Sequence, residues 1–309
     1  MPELPEVETM RRGILAAVGG RVTALEVLRC ARKPIQISPK PAALRKRIVG
    51  RAVTAIERLG KRVVMRFEGG DALIFEPRMT GLVLVADPPS VEHLRLRMDF
   101  AGGKLPSIWY WDRRGLGNVR LLSAEELARD LGEAKLGPDA LSISAEEFRL
   151  RFAAGRREVK VALLDQRAVA GIGNLYAAEI LHRAGVHPQT RCVQVTRPQW
   201  TRIFEACREI LAEAIQYEGS TLSDGTYRNA LNKAGGYQNH HRVYDRAGEV
   251  CVSHRLRTTA CWRAASSSVA AGSSSFITPT GTITARGRRT WGLAWTGWHR
   301  RWTGRAWHW

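Results

Sequence analysis

The pattern of apolar and polar positions changes twice along the chain. Residues 5–18 (PEVETMRRGILAAV) start with a proline and two early glutamates, which suit the first turn of a helix. From about 21 to 122 the chain consists of short β-rich runs separated by Gly, Pro and Asp turns. Many short strands at this spacing are typical of a sandwich or a barrel. The pattern therefore predicts an N-terminal helix followed by a β-rich domain.

A helical period replaces the strand pattern after residue 122. Ser123 and Ser144 are each followed three residues later by a glutamate, which is the signature of a capping box. Three further helices are predicted, at 158–168, 174–184 and 197–218. The expected fold class is thus α+β and multidomain.

We expect three domains: a β-rich domain at 1–134, a helical domain at 135–235 and an atypical remainder at 236–309. The remainder follows no period of 3.6 or 2.0 residues. From Val250 to Trp309 it contains no Asp, Glu or Lys, and it holds seven of the ten tryptophans. This composition resembles neither a core nor a regular surface.

Charge narrows the class of partner. A net charge of +19 favours a polyanion such as nucleic acid, although a basic protein without that role is the alternative at this point. Five scattered cysteines argue against a disulfide framework. No run of eighteen apolar residues and no signal peptide is found, so we expect a soluble cytoplasmic protein without a membrane partner.

The N-terminus carries candidate chemistry. If Met1 is removed, Pro2 has a free secondary amine. Terminal amines have a reference pKa of about 7.7–8.0, so an appreciable neutral fraction can form a Schiff base with a masked sugar aldehyde. Glu3 could protonate the ring oxygen of the sugar, and Glu6 could hold the site in register. The alternative is that these residues only lead into a helix.

The opening PELPEVETMRRG resembles that of the formamidopyrimidine-DNA glycosylase family, bifunctional enzymes that excise oxidised purines and nick the abasic site. Similar motifs follow in order over about the first 245 residues. LGKRVVMRF implies that Lys61 enters the active site, EPRMTG that Met79 fills the gap left by the everted base, and EHLRLRMDF that His93 contacts a phosphate. Taken singly, these would be a solvated lysine, a core methionine and a surface histidine.

Two longer motifs resemble DNA-contacting elements of the family. YWDRRGLG resembles the intercalation loop, with Arg114 at the arginine and Leu116 where phenylalanine is usual, so an aliphatic wedge would enter the duplex. LLDQRAVAGIGNLYAAEILHRAGVHP resembles the helix–two-turn–helix. Its Gly171 and Gly173 allow a tight turn whose N–H groups face a phosphate, and Asn174 can cap the following helix. GIGN alone would also suit an ordinary αα-hairpin.

Two basic or glycine-rich stretches complete the expected DNA surface. GRREVK supplies Arg156, Arg157 and Lys160 to neutralise backbone charge, with a solvated basic helix face as the alternative. GSTLSDGTYRNALNKAGGYQNHHRVYDRAGE resembles the loop over an extruded base, and a flexible linker would look similar.

The resemblance stops at the C-terminal end. Family members usually close with two CxxC pairs that bind a structural zinc ion. Here the ligands are largely missing, and only Cys251, His254 and Cys261, with His299 as a fourth, are weak candidates. No cofactor is required for the chemistry. The end is either naturally zinc-free or an out-of-frame translation of a GC-rich gene, which we favour, and no residue in it matches the family's phosphate-gripping arginine.

The resemblance implies a bifunctional DNA glycosylase and AP lyase of base excision repair. It would excise 8-oxoguanine and formamidopyrimidines through a Schiff base on Pro2, with Lys61 stabilising charge, followed by β(,δ)-elimination. The expected partner is duplex DNA with a damaged base or abasic site, bound by a monomer in the nucleoid.

Three alternatives differ in the features that they explain. An oxidised-pyrimidine glycosylase of the endonuclease VIII type usually opens with PEGPE, so Leu4 leans towards the purine branch. A catalytically silent DNA-binding relative fits the broken C-terminal end. A ribosomal or RNA-binding protein would not explain the N-terminus or Lys61.

Overall fold

Two β-sheets share one buried core in the computed structural model, which describes residues 1–246. One sheet has the strand order β1-β7-β8-β6 and the other β2-β9-β5-β4-β3. All pairings are antiparallel except that of β2 with β9. The strands are β1 (Arg21–Val27), β2 (Gln36–Ser38), β3 (Val53–Leu59), β4 (Arg62–Phe67), β5 (Ala72–Glu76), β6 (Gly81–Leu84), β7 (Leu94–Ala101), β8 (Ser107–Asp112) and β9 (Asn118–Leu122).

Alternation along β4 explains why this sheet is covered on both faces. Val63 and Met65 point into the core shared with the other sheet, while Val64 packs with Ile74 and Leu127 in a separate small cluster. Successive side chains of a strand point to opposite faces. An apolar residue at each of these positions therefore requires the extra cover of the helix that contains Leu127.

Helices dominate the chain after residue 122. The second core is built from their apolar faces, and the longest helix within residues 1–246, Arg197–Gln216, packs along Asn174–Ala184. Short 3₁₀ turns lie at Leu15–Ala17, Val91–His93, Cys192–Gln194 and Tyr237–His240. The helices are α1 (Leu4–Gly13), α2 (Pro41–Ile48), α3 (Ala124–Leu131), α4 (Ala145–Phe152), α5 (Val159–Leu163), α6 (Asn174–Ala184) and α7 (Arg197–Gln216).

Helix α1 belongs to both cores. Leu4 is buried in the helical core, whereas Val7, Met10 and Ile14 are buried between the sheets. The Leu4 amide also donates to the Gly171 carbonyl over 3.1 Å. The N-terminal helix thus contributes to both cores and helps to join the two parts of the fold.

The α+β fold class is confirmed, and α6 has the bounds predicted from sequence. Other elements differ. The N-terminal helix ends at Gly13 and tightens into a 3₁₀ turn, the helix predicted at 158–168 covers only Val159–Leu163, and α2 was missed inside the β-rich stretch. The capping box predicted at Ser123 forms, whereas at Ser144 only half of the predicted box is present: the serine hydroxyl accepts the Glu147 amide. Among residues 1–246, no helix is long and apolar enough to cross a bilayer.

Candidate active site

The Glu3 carboxylate sits at the start of helix α6. Its two oxygens accept the amides of Leu175 and Tyr176 over 3.0 and 3.4 Å, and the side chain is only 3% exposed. A helix N-terminus presents unpaired N–H groups and partial positive charge, both of which stabilise an anion. The anion at this helix start is therefore Glu3, where the sequence had predicted phosphate alone.

Two glycines make this approach possible. A Cβ atom on Gly173 would lie 2.3 Å from the carboxyl carbon of Glu3, and one on Gly171 would lie 2.4 Å from a Leu4 methyl group. Gly171 also has a φ of +111°, which side chains disfavour. The predicted cap is corrected here: Gly173 is the N-cap, and Asn174 is the first helical residue, because the distant Glu3 side chain supplies the acceptor.

Glu6 is fixed by three donors from three parts of the chain. Its carboxylate accepts the Tyr176 hydroxyl at 2.5 Å, the Ser220 amide at 2.9 Å and the Glu3 amide at 2.9 Å. Burial raises the pKa of Glu6, the Glu3 charge adds to this, and the three hydrogen bonds oppose it. Glu6 thus holds the N-terminus, α6 and the loop after α7 in one arrangement.

Lys61 lies in the two-residue turn that joins β3 to β4. Gly60 takes the positive φ of +57° that this turn needs, and its Cα faces Ala170 of the helical part. Burial lowers the pKa of Lys61, while the Glu3 and Glu6 carboxylates oppose that shift. The lysine therefore releases a proton more readily than a solvated lysine and stays within electrostatic reach of both acids.

An arginine network surrounds the Glu8 carboxylate. Glu8 accepts from Arg11 and Arg12 of its own helix and from Arg58 of β3 at 3.1 Å. Arg58 also pairs with Asp139 of the helical part. Burial alone would raise the pKa of Glu8, but these hydrogen bonds and charges lower it to about 2. The network joins α1, β3 and the helical part.

One cleft of about 440 Å³ brings four of the predicted site residues together. Pro2, Lys61, Met79 and Leu116 all line it, although they come from the chain terminus and three different turns or loops. Met1 lines it too, so removal of Met1 would leave the Pro2 amine inside the cleft. The other lining residues are Arg62, Glu76, Arg78 and Gln166.

The loop 113–117 between β8 and β9, here called the wedge loop, is shaped by the buried Asp112. This carboxylate accepts the Thr80 hydroxyl at 2.5 Å, the Gly117 amide at 2.7 Å and the Arg114 amide at 3.1 Å. The Arg114 side chain is exposed, and Leu116 is 38% exposed. The loop thus has an ordered backbone that presents a cation and an apolar group to solvent.

The glycine-rich stretch after α7 reaches the same region. Although burial raises the pKa of Asp224, hydrogen bonds from Thr226 and the charges of the Met1 ammonium and Arg114 lower it overall. Asp224 is thus within electrostatic range of both the N-terminus and the wedge loop. This placement suits the lid that the sequence predicted.

The remaining predicted DNA contacts lie apart from the cleft lining. His93 is buried beside Trp111 and pairs with Glu92 at 3.0 Å. Arg156 and Arg157 are exposed, and Arg157 pairs with Asp165. Lys160 is only 5% exposed, and burial lowers its pKa against the effect of Glu3. It therefore does not belong to a solvated basic face.

Four supporting residues were missed at the sequence level: Tyr176, Ser220, Asp112 and Gln166. Gln166 accepts the Gly171 amide and donates to the Ile172 carbonyl, which holds the glycine turn. Tyr176 was visible within the LLDQRAVAGIGNLYAAE motif, but its partner Glu6 is 170 residues away.

Within residues 1–246, no group of three or more metal-binding side chains is close enough to hold an ion. Cys251, His254, Cys261 and His299 lie outside the described residues.

Comparisons with known proteins agree along most of the chain. The model of the formamidopyrimidine-DNA glycosylase N-terminal domain matches residues 1–119, and that of the H2TH domain matches 136–226. The formamidopyrimidine-DNA glycosylase of Solibacter usitatus is 36% identical over 255 residues, covering 82% of this chain and 91% of that protein. The Caulobacter vibrioides protein of the same name is 32% identical over 295 residues, covering 90% and 99%.

Solved structures show the same likeness. The MutM (Fpg) protein of Thermus thermophilus is 33% identical, with a TM-score of 0.69 over 82% of this chain and 90% of that one. Lactococcus lactis Fpg in complex with DNA containing N7-benzyl-Fapy-dG is 30% identical, with a TM-score of 0.71 over 83% and 93%. The likeness therefore extends through both the β-rich and the helical parts.

Proposed function

The chain belongs to the formamidopyrimidine-DNA glycosylase family, DNA glycosylases of base excision repair, and we propose that it excises oxidised purines from duplex DNA and then cuts the strand. The substrates would be 8-oxoguanine and formamidopyrimidines, and the second activity would be that of an AP lyase. The observation that carries this proposal is the cleft in which Pro2 and Lys61 meet beside the buried carboxylates of Glu3 and Glu6.

Attack on the sugar requires the amine that removal of Met1 creates. The neutral Pro2 nitrogen attacks C1′ of the damaged nucleotide, and the C1′–base bond breaks, with a proton going to the base. The Glu3 carboxylate takes the proton that the Pro2 nitrogen loses and passes it to the ring oxygen as the C1′–O bond opens, which leaves a positively charged iminium between Pro2 and C1′. Loss of a proton from C2′ then expels the 3′ phosphate, and hydrolysis of the iminium releases the enzyme.

The two other ionisable groups assist this sequence. Burial lowers the pKa of Lys61, so the lysine can give a proton to a leaving group or stabilise the phosphate with its charge. Glu6 positions the Glu3 main chain through a 2.9 Å hydrogen bond and does not touch the sugar. All of these steps use groups of the chain itself, and we propose that the chemistry requires no cofactor.

Binding would expose the lesion by extrusion. Met79 and Leu116 both line the cleft, so either can occupy the space of an everted base, while the exposed Arg114 can contact the unpaired opposite strand. We propose that a monomer binds one duplex with a damaged base or an abasic site. A structural zinc ion from Cys251, His254 and Cys261 stays a prediction.

Borohydride trapping tests the chemistry directly. The protein, with Met1 removal verified by mass spectrometry, is incubated with duplexes carrying 8-oxoguanine, 5-hydroxyuracil or an abasic site, and the imine is reduced to a stable adduct. We expect adducts with the 8-oxoguanine and abasic duplexes. The matched control is the same chain with an uncleaved N-terminal tag, in which Pro2 is a tertiary amide and should form none.

Three other results would each refute a part of the proposal. A faster adduct with 5-hydroxyuracil than with 8-oxoguanine would favour the oxidised-pyrimidine branch. Binding of the abasic duplex without any adduct would indicate a catalytically silent relative. An adduct formed equally by the tagged chain would place the nucleophile elsewhere, with Lys61 as the next amine in the cleft.

A further inference from the structure

The segment 28–35 between β1 and β2 starts beside a predicted phosphate contact. The Cys30 thiol lies 2.9 Å from the carbonyl oxygen of Glu92, and Glu92 directly precedes His93. The Leu28 amide donates to the Arg95 carbonyl at 3.0 Å, so the segment leaves β1 against the strand that follows His93. The start of the segment is thereby held at the edge where the sequence predicts the DNA backbone.

The same segment ends against the wedge loop. A Cβ atom on Gly115 would lie 2.1 Å from the carbonyl oxygen of Lys33, so the two backbones are in direct contact between Arg114 and Leu116. Gly115 has a φ of +62°, which allows this approach. Residues 29–33 therefore connect the neighbourhood of His93 to that of the wedge side chains.

Three cations on this segment point into solvent without a carboxylate partner. Arg29, Arg32 and Lys33 are exposed, and within residues 1–246 none of them forms an ion pair with Asp or Glu. Many other exposed arginines of the chain are paired, such as Arg157 with Asp165 and Arg183 with Glu209. Unpaired cations at such a position are available for phosphate.

We infer that Arg29, Arg32 and Lys33, here called the basic rim, bind successive backbone phosphates beside the base step that the wedge loop enters. This inference rests on the proposed function, because it takes duplex DNA as the partner. A stretch of five residues spans at most about 17 Å, which is the axial length of about five base pairs. Phosphate contacts carry no sequence information, so the rim would support a search for lesions in any sequence.

The test removes the three charges together. Arg29→Ala, Arg32→Ala and Lys33→Ala are combined in one variant, and Arg149→Ala, Arg151→Ala and Arg183→Ala form a control with the same change in net charge. Affinity for a duplex with a tetrahydrofuran abasic analogue is measured by fluorescence anisotropy from 50 to 200 mM salt. Each lost phosphate contact should reduce the slope of log K against log salt by about 0.9.

We expect the slope of the basic-rim variant to fall by about two to three, with affinity at low salt reduced roughly 10- to 100-fold. The borohydride trapping rate at saturating protein should stay within twofold of the parent, because no rim residue lines the cleft. The control variant should keep the parent slope. A rim variant whose slope equals that of the control would overturn the inference.

Neutral methylphosphonate linkages then locate the contact. Placed singly beside the lesion, those within about five base pairs of the wedge step should weaken binding by the parent but not by the rim variant. Equal losses for both proteins at every position would also overturn the inference. A parent protein that traps the abasic duplex but shows no rim effect leaves the proposed function standing, whereas a parent that binds no DNA overturns both.

Discussion

The group formed by Pro2, Lys61 and the two buried acids Glu3 and Glu6, here called the floor, differs from the wedge loop in how its residues are fixed. On the floor Glu3 and Glu6 are buried and Lys61 is half-buried, and Glu6 alone accepts three hydrogen bonds. In the wedge loop Asp112 holds the backbone amides, while Arg114 and Leu116 remain exposed.

Because of this difference, we expect the floor and the wedge loop to act on different steps of the reaction. Preorganised groups raise rates because they need no reorganisation during the reaction, so changes on the floor should act on the chemical step. Exposed side chains on an ordered backbone can adapt to a partner, so changes in the wedge loop should act on binding and base extrusion. Substitutions in the two regions should therefore give different kinetic signatures.

The largest effect is expected from Glu3→Gln on the floor. Glutamine keeps an acceptor for the Leu175 amide but cannot deliver the proton, so single-turnover excision of 8-oxoguanine should slow by about 10²- to 10⁴-fold. Affinity for the abasic analogue should change less than threefold. A melting curve like that of the parent checks the fold, and an excision rate within tenfold of the parent would contradict the role of Glu3.

The network of Glu8 and its arginine partners should make the free energy of unfolding depend on pH. The folded pKa of Glu8 is about 2, below its ordinary 4.5, so its contribution is present above pH 4.5 and is lost as pH falls towards 2. At pH 7 the loss in Glu8→Gln should be about 3 kcal/mol, and it should shrink below pH 4. Urea unfolding of the parent and of Glu8→Gln, at pH 7 and below pH 4, measures this loss of stability.

The exposed pair of Glu57 and Arg66 provides the control for that measurement. Its two side chains are 41% and 35% exposed, and such surface pairs contribute about 0–1 kcal/mol. Glu57→Gln should therefore have a small effect at every pH. A Glu8→Gln loss that is equally small, or that does not depend on pH, would show that the Arg58 network does not stabilise the fold.

The smallest effect is expected from the wedge loop. Leu116→Ala removes part of the apolar group that would occupy the opened base step, so excision of a paired 8-oxoguanine should fall about three- to tenfold. Trapping on an abasic duplex should not change, because no base has to be extruded there. Leu116→Phe should retain parent activity on both, and an equal loss by Leu116→Ala on the two substrates would refute the wedge role.

The sequence predicted those features whose causes are local or whose motifs are long. Gly173 and Gly185 mark the two ends of α6, where Gly185 takes a φ of +67°, so its bounds could be read directly. Short β-rich runs between Gly, Pro and Asp turns likewise predicted the two sheets. Helix α2 was missed because its signals, a first-turn Pro41 and a basic last turn, stand within a stretch dominated by strand patterns.

Contacts between distant residues were beyond such reasoning. The predicted cap at Asn174 was wrong because the acceptor that meets this helix start comes from Glu3, 172 positions before Leu175. The bond from Ser220 to Glu6 spans 214 positions and has no local signature. Resemblance did name Pro2, Lys61, Met79 and Leu116, but only the fold could place their side chains around one cleft.

Helix α1 also determines how the N-terminus behaves during local unfolding. Chain termini usually fray, and frayed amides exchange with solvent without global unfolding. Here Leu4 is anchored in one core and Met10 in the other, so local fraying would have to open both. The amides of α1 should accordingly be among the slowest to exchange for deuterium, and the N-terminus should retain its position for as long as the molecule stays folded.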